Sequence, residues 1–179
     1  EEFTAYTNAV VHLKNIPMQI NDTSRPSIAN IRESIRKVIH QYGSVGLVLI
    51  DYLQIMKTSK QFAREDLKIA YFTGELKAMA KEFNCVLVLL SQLNRELEKR
   101  PNKRPMMSDL RESGAIEQDA DQIVFLYRDE VYNKESQFRG IAEAIVSKNR
   151  HGEVGTAYMH SQLRYCQFTN LDHESLNQI

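Results

Sequence analysis

Gly46-Leu47-Val48-Leu49-Ile50-Asp51-Tyr52-Leu53-Gln54 is a run of branched apolar residues that ends in a carboxylate and then turns polar. A continuous apolar run of this kind suits a strand buried on both faces, as in a parallel sheet covered by helices. Asp51 then falls at the carboxyl end of the strand, the edge outside which open α/β sheets bind their ligands. Two readings of it stand side by side. The carboxylate can hold Mg²⁺ against a nucleotide's phosphates, directly or through water, or it can cap the next turn or helix.

The surroundings give the strand its layers. Upstream, Ser27 is an N-cap for a helix whose apolar face runs through Ile28, Ile31, Ile35, Val38, Ile39 and Tyr42, and Gly43 ends it. Downstream, a helix from about Arg64 to Phe83 leads to a second apolar run, Cys85 to Leu90, which ends in Ser91-Gln92. Strand, helix, strand in that order predicts a right-handed parallel crossover and an α/β fold. Further out, Glu1 to Asn15 reads as an amphipathic helix and Pro17 to Asn21 as a short strand. Asn94 to Pro105 is basic, carries two prolines and reads as a mobile surface loop. Ser108 to Gly114 starts like a short capped helix that stops at the glycine, and Ala115 to Asp121 is acidic and helical. Gln122 to Tyr127 is expected as a third core strand. Ile141 to Ser147 and Val154 to His160 alternate around a His151-Gly152 turn, the pattern of a β-hairpin, with a further strand within Leu163 to Phe168. The expected organisation is one domain over residues 1–179, with a parallel α/β core at 17–128 and a hairpin region at 141–168.

At 179 residues the chain can bury a sizeable core, and 42% hydrophobic with 26% charged residues is ordinary globular composition. Lys plus Arg equal Asp plus Glu at 23 each, so any anion-binding surface must come from local clustering. Two cysteines exclude a disulfide scaffold. Cys85 reads as a core thiol, and a reducing, cytoplasmic setting fits. The five histidines do not fall at ligand spacing with cysteines, which excludes a zinc site. There is no signal peptide and no apolar run long enough to cross a bilayer. The sequence opens Glu-Glu-Phe without Met, as expected for a processed chain or a piece of a longer one.

Three constellations carry chemistry. Asp51 and Gln92 end two adjacent strands, where they either flank one cleft or cap two separate turns. Lys148 and Arg150 flank Asn149 at the hairpin tip, so in extended backbone both side chains leave from the same face. They form either a solvated basic turn or, with Arg150 as an arginine finger, a cationic reach onto a neighbouring subunit's phosphates. Arg111, with the backbone amides around Gly114, either grips a phosphate backbone or belongs to an ordinary capped turn.

Taken together and in order, Leu49-Ile50-Asp51-Tyr52-Leu53-Gln54, Leu90-Ser91-Gln92-Leu93-Asn94-Arg95, Ser108 to Asp121 and Lys148-Asn149-Arg150-His151-Gly152 resemble the DnaB-type replicative DNA helicases, from about Pro17 to about Phe168. The resemblance implies a RecA-like P-loop ATPase core, ATP and Mg²⁺ as cofactors, single-stranded DNA as the track, and a homo-hexameric ring acting with primase and a helicase loader. Asp51 would be the Walker B carboxylate on the metal side and Gln92 a polar sensor of nucleotide state. Arg111, Glu112 and Gly114 would grip the DNA backbone, Glu112 through its main-chain amide because its side chain repels phosphate. Lys148 and Arg150 would complete the neighbour's ATP site. No Gly-x-x-x-x-Gly-Lys-Ser/Thr occurs, and Tyr52, not a glutamate, follows Asp51. The phosphate loop, the catalytic glutamate and the primase-docking domain of the family are therefore expected upstream, and the chain alone is expected to hydrolyse no ATP. Two alternatives are another RecA-like ATPase such as a recombinase, and a non-catalytic module that binds single-stranded DNA or caps a helicase ring.

Overall fold

A computed structural model describes residues 2–110 and 114–171. The chain divides into two units, residues 1–61 with 78–90, and residues 62–77 with 91–179.

The first unit contains helices α1 (Glu2–Asn15) and α2 (Ile28–Tyr42) and strands β1 (Leu47–Ile50) and β2 (Val86–Leu89). The start of α2 is a capping box. Ser27 Oγ accepts from the Asn30 amide at 3.2 Å, and Asn30 Oδ1 accepts from the Ser27 amide at 3.0 Å. Gly43 takes φ +85°, where a side chain is strained, and its N–H donates to the Ile39 carbonyl at 2.8 Å to close the helix. Ile28, Ile31 and Ile35 form the buried stripe, while Arg32 and Arg36 pair with Glu82 at 3.2 and 3.3 Å.

β1 and β2 pair in parallel from Leu47–Val86 to Ile50–Leu89, as the two apolar runs predict. Their burial differs from the expectation. Ile50 is buried, but Leu47 and Leu49 are 58% and 59% exposed and their register partners Val86 and Val88 are exposed too. One face of this pair lacks a covering layer among the described residues. The same holds for α1, which forms as expected but leaves Phe3, Tyr6, Val11 and Leu13 in solvent. Pro17 to Asn21 is not a strand. An extended segment becomes one only when its backbone groups find a partner, no described strand pairs with it, and Met18 and Ile20 are exposed. Cys85 is half-buried, not a sealed core thiol, and burial raises its pKa.

Helix α3 (Glu65–Glu82) contributes to both units, with Ile69, Phe72, Thr73, Leu76 and Met79 buried along one stripe. The second unit adds α4 (Gly114–Asp119) and strands β3 (Gln122–Tyr127), β4 (Ile141–Asn149), β5 (Gly155–Gln162) and β6 (Gln167–Asn170). These strands form one antiparallel sheet in the order β3-β4-β5-β6. The hairpin is therefore present, but β3 pairs antiparallel with β4 instead of extending the parallel pair. Its alternation explains this, because Ile123, Phe125 and Tyr127 are buried while Val124 and Leu126 face out, the pattern of a strand covered on one side.

The basic segment after β2 is tied down. Asn94 caps a 3₁₀ turn over Arg95–Lys99 with Leu97 buried beneath it. Arg100 forms a fork with the buried Asp109 carboxylate at 3.0 and 2.8 Å, and the Asp109 carbonyl accepts from the Asn94 amide at 2.7 Å. Met107–Asp109 forms a 3₁₀ turn and Gly114 is the first residue of α4, while the Arg111-Glu112-Ser113 part of the expected capped helix lies outside the described residues.

Candidate functional site

Asp51 is exposed at the carboxyl end of β1, in the first unit. Its position is set by ladder bonds on either side of it. Leu90 N–H donates to the Ile50 carbonyl at 3.0 Å and Leu53 N–H donates to the Leu90 carbonyl at 2.9 Å. The buried Leu53 then anchors a 3₁₀ turn, Leu53–Ile55, so the chain turns away directly after the carboxylate. Among the described residues no three His, Cys, Asp or Glu side chains cluster as a metal cage. A lone strand-end carboxylate fits Mg²⁺, which takes one or two carboxylates and fills its remaining positions with water and substrate phosphate.

Gln92, Gly114, Lys148 and Arg150 belong to the second unit. Gln92 is exposed three residues past β2, and Gly114 is exposed at the first position of α4. Arg111 and Glu112 lie outside the described residues.

The structure brings the two tip cations together on one short helix. Lys148 Nζ donates to the Glu117 carbonyl in the last turn of α4. Arg150 is held three ways, its amide donating to the Asp121 carbonyl at 2.9 Å, Nη1 to Asp121 Oδ1 at 3.2 Å and Nη2 to the Gln118 carbonyl at 3.1 Å. The carbonyls at a helix C-terminus have no partner inside the helix and carry partial negative charge, so they favour cations. The tip itself is tight. Asn149 Nδ2 donates to the Glu153 carbonyl at 3.2 Å, and a Cβ at Gly152 would come within 2.7 Å of that nitrogen.

Asp121 and Lys77 extend this cluster, and neither stands out in the sequence. Lys77 Nζ donates to Asp121 Oδ2, and one turn earlier on α3 Thr73 Oγ1 donates to Asp119 Oδ2 at 2.5 Å. The hydrogen bond from Lys77 is the main cause holding the Asp121 carboxyl below its ordinary pKa, with the Lys77, Arg150 and His151 charges adding to it. The only visible signal is the Gln118-Asp119-Ala120-Asp121 acid pair, and its α3 partners Thr73 and Lys77 lie more than forty residues away in the sequence.

Elsewhere in the second unit an apolar pocket of about 280 Å³ is lined by residues including Leu97, Lys103, Leu126, Val131, Tyr132 and Phe168. None of Gln92, Gly114, Lys148 or Arg150 lines it. No helix among the described residues is long and apolar enough to cross a membrane.

The family model of the DnaB-like helicase C-terminal domain matches residues 1–170. The replicative DNA helicase DnaB of Buchnera aphidicola subsp. Acyrthosiphon pisum is 42% identical over 163 residues, covering 91% of this chain and 35% of the relative. The replicative DNA helicase DnaB of Pasteurella multocida is 44% identical over 154 residues, covering 86% of this chain and 33% of the relative. Among solved structures, a DnaB-like replicative helicase, solved in a study of its interactions with primase, superposes with a TM-score of 0.90 at 39% identity, covering 96% of this chain and 41% of that one. A separately solved ATPase domain gives 0.91 at 39% identity, covering 96% and 61%. The chain spans about a third of the length of the curated relatives it matches. With a RecA-like α/β fold and the motif residues at the carboxyl end of β1 and on the hairpin tip, the chain belongs to the DnaB-like helicase C-terminal domain family.

Proposed function

We propose that this chain is the C-terminal part of the motor domain of a replicative DNA helicase, working in the cytoplasm as a homo-hexameric ring on single-stranded DNA. The observation that carries the reading is the seating of Lys148 and Arg150 together on α4, the helix that opens at Gly114. A pair that reaches the neighbour's ATP and Gly114 of the DNA-gripping segment, meeting on one short helix, can move together.

In this reading each ATP is bound between subunits. Asp51 orients Mg²⁺, which when bound neutralises the phosphate charge that develops during hydrolysis. Gln92 contacts the nucleotide side of the same subunit and passes its state towards the segment that follows. Lys148 and Arg150 reach across the interface to the neighbour's phosphates, where a guanidinium supplies charge and a fixed fork of donors. Arg111 contacts the DNA backbone through its side chain, and Glu112 and Gly114 do so through main-chain amides. Primase and a helicase loader act on the assembled ring.

Substituting Arg150→Ala in the full-length protein lowers ATP turnover by about a thousandfold if it acts as an arginine finger. Turnover within about twofold of wild type defeats the assignment. Arg111→Ala weakens single-stranded DNA binding and reduces its salt slope by about one. An unchanged slope removes Arg111 from the DNA path. The isolated chain, which has no phosphate-cradling loop, hydrolyses no ATP, and metal-dependent turnover by pure protein would favour a different motor.

A further inference from the structure

We propose that Asp121 is a positioning residue for Arg150: it orients the guanidinium on α4 so that its open donors face the neighbouring subunit's nucleotide. The proposal rests on the reading of Arg150 given above, and Asp121 itself touches neither nucleotide nor DNA.

The geometry separates this contact from an ordinary surface ion pair, which holds two long side chains only loosely and orients little. Arg150 is fixed at its backbone as well as at two guanidinium nitrogens, all against Gln118 and Asp121. Among the described residues two of the five guanidinium N–H donors are engaged. The side chain is 46% exposed, so it is gripped along one edge and open along the other. A finger that is already oriented loses less freedom when it meets phosphate, which is the general gain from preorganisation.

Charge balance points the same way. Asp121 is shared between Lys77 and Arg150, one carboxylate between two cations, so the cluster keeps a net positive charge for an anion. The shared carboxylate also ties the segment directly after α4 to α3, and Thr73 repeats the tie one turn away through Asp119, the last residue of α4. The position of the guanidinium therefore follows α4, whose first residue, Gly114, belongs to the proposed DNA-gripping segment.

The test uses the full-length protein with Asp121→Asn, an isosteric change that removes the charge, alongside Asp121→Glu and Arg150→Ala. ATP turnover is measured with single-stranded DNA present, together with KM for ATP, DNA affinity, ring assembly and Tm. Asp121→Asn is expected to lower kcat by about ten- to a hundredfold, the cost of a misplaced group, with KM and DNA affinity within about twofold. Asp121→Glu, which restores the charge, recovers part of the loss, which a purely structural role would not predict. If Arg150→Ala loses turnover while Asp121→Asn keeps it, the positioning role is wrong and the finger assignment stands. If Asp121→Asn loses assembly, Tm and DNA binding in parallel, Asp121 is structural and the proposal falls. If Arg150→Ala retains turnover, the finger assignment fails and the proposal fails with it.

Discussion

The two sheets respond differently to similar sequences. β1 and β2 are short apolar runs paired in parallel, yet Leu47, Leu49, Val86 and Val88 present an apolar surface to solvent. β3 is just as apolar, Gln122-Ile123-Val124-Phe125-Leu126-Tyr127, but sits at the edge of a four-stranded antiparallel sheet. There Phe125 and Tyr127 are buried. Arg104 pairs with the buried Glu143 at 2.5 Å and lies 5.7 Å from the centre of the Tyr127 ring, whose hydroxyl donates to Asp129 at 2.9 Å. Burial, helped by that hydrogen bond, pushes the Tyr127 pKa up to about 12. A hairpin-built sheet finds its partners within a few tens of residues, whereas a parallel pair needs a covering layer brought from elsewhere.

Four substitutions probe that contrast. Phe125→Ala, in the covered face of β3, is expected to cost about 3–5 kcal/mol by cavity formation, measured by denaturant unfolding. A loss below about 1 kcal/mol would mean that the antiparallel sheet is not a packed core. Arg104→Ala leaves Glu143 buried without its cation and is expected to cost about 2 kcal/mol, discounted from a fully buried pair because Arg104 is half-exposed. The pH dependence of Glu143 gives the third. Its pKa is raised, burial outweighing the attraction of Arg104, so its contribution to stability is full below the ordinary glutamate range and is lost as pH rises through the raised folded value. The stability of wild type relative to Glu143→Gln should therefore fall as pH increases across that window, and a rise would show that the Arg104 attraction dominates. The smallest effect belongs to the open sheet. Leu49→Lys should change the stability of this chain by no more than about 0.5 kcal/mol, because Leu49 is already in water. The same change should abolish the concentration-dependent self-association expected of the exposed apolar rows, and a wild-type chain that sediments as a monomer at high concentration would remove that expectation.

Local signals carry most of the elements. Ser27 and Gly43 bound α2 because capping depends on neighbours three or four residues away. The alternation around His151-Gly152 shows the hairpin, and the Cys85 to Leu90 run shows the parallel partner of β1. Expectation and structure part where a distant partner decides. Pro17 to Asn21 has strand chemistry but no strand to pair with, and β3 reads as part of the parallel core because apolar content does not state which edge a strand joins. The Asn94 to Pro105 segment reads as loose because a run of basic residues does not reveal that the buried Asp109 will clamp Arg100.

The same division runs through the candidate site. Asp51, Gln92, Lys148 and Arg150 are legible as residue types at strand ends and on a hairpin tip, since those places follow from periodicity and turn chemistry alone. Family membership is legible too, because Ser108 to Asp121 is a long and specific run. What the chain order cannot state is that α4 receives both tip cations, or that Asp121 divides its charge between Lys77 and Arg150. Those contacts join residues 29 to 44 positions apart, and no local rule of propensity or spacing reaches that far. They exist because folding β3 back on β4 carries the tip to the helix that precedes β3, where unpaired carbonyls and a carboxylate meet two cations.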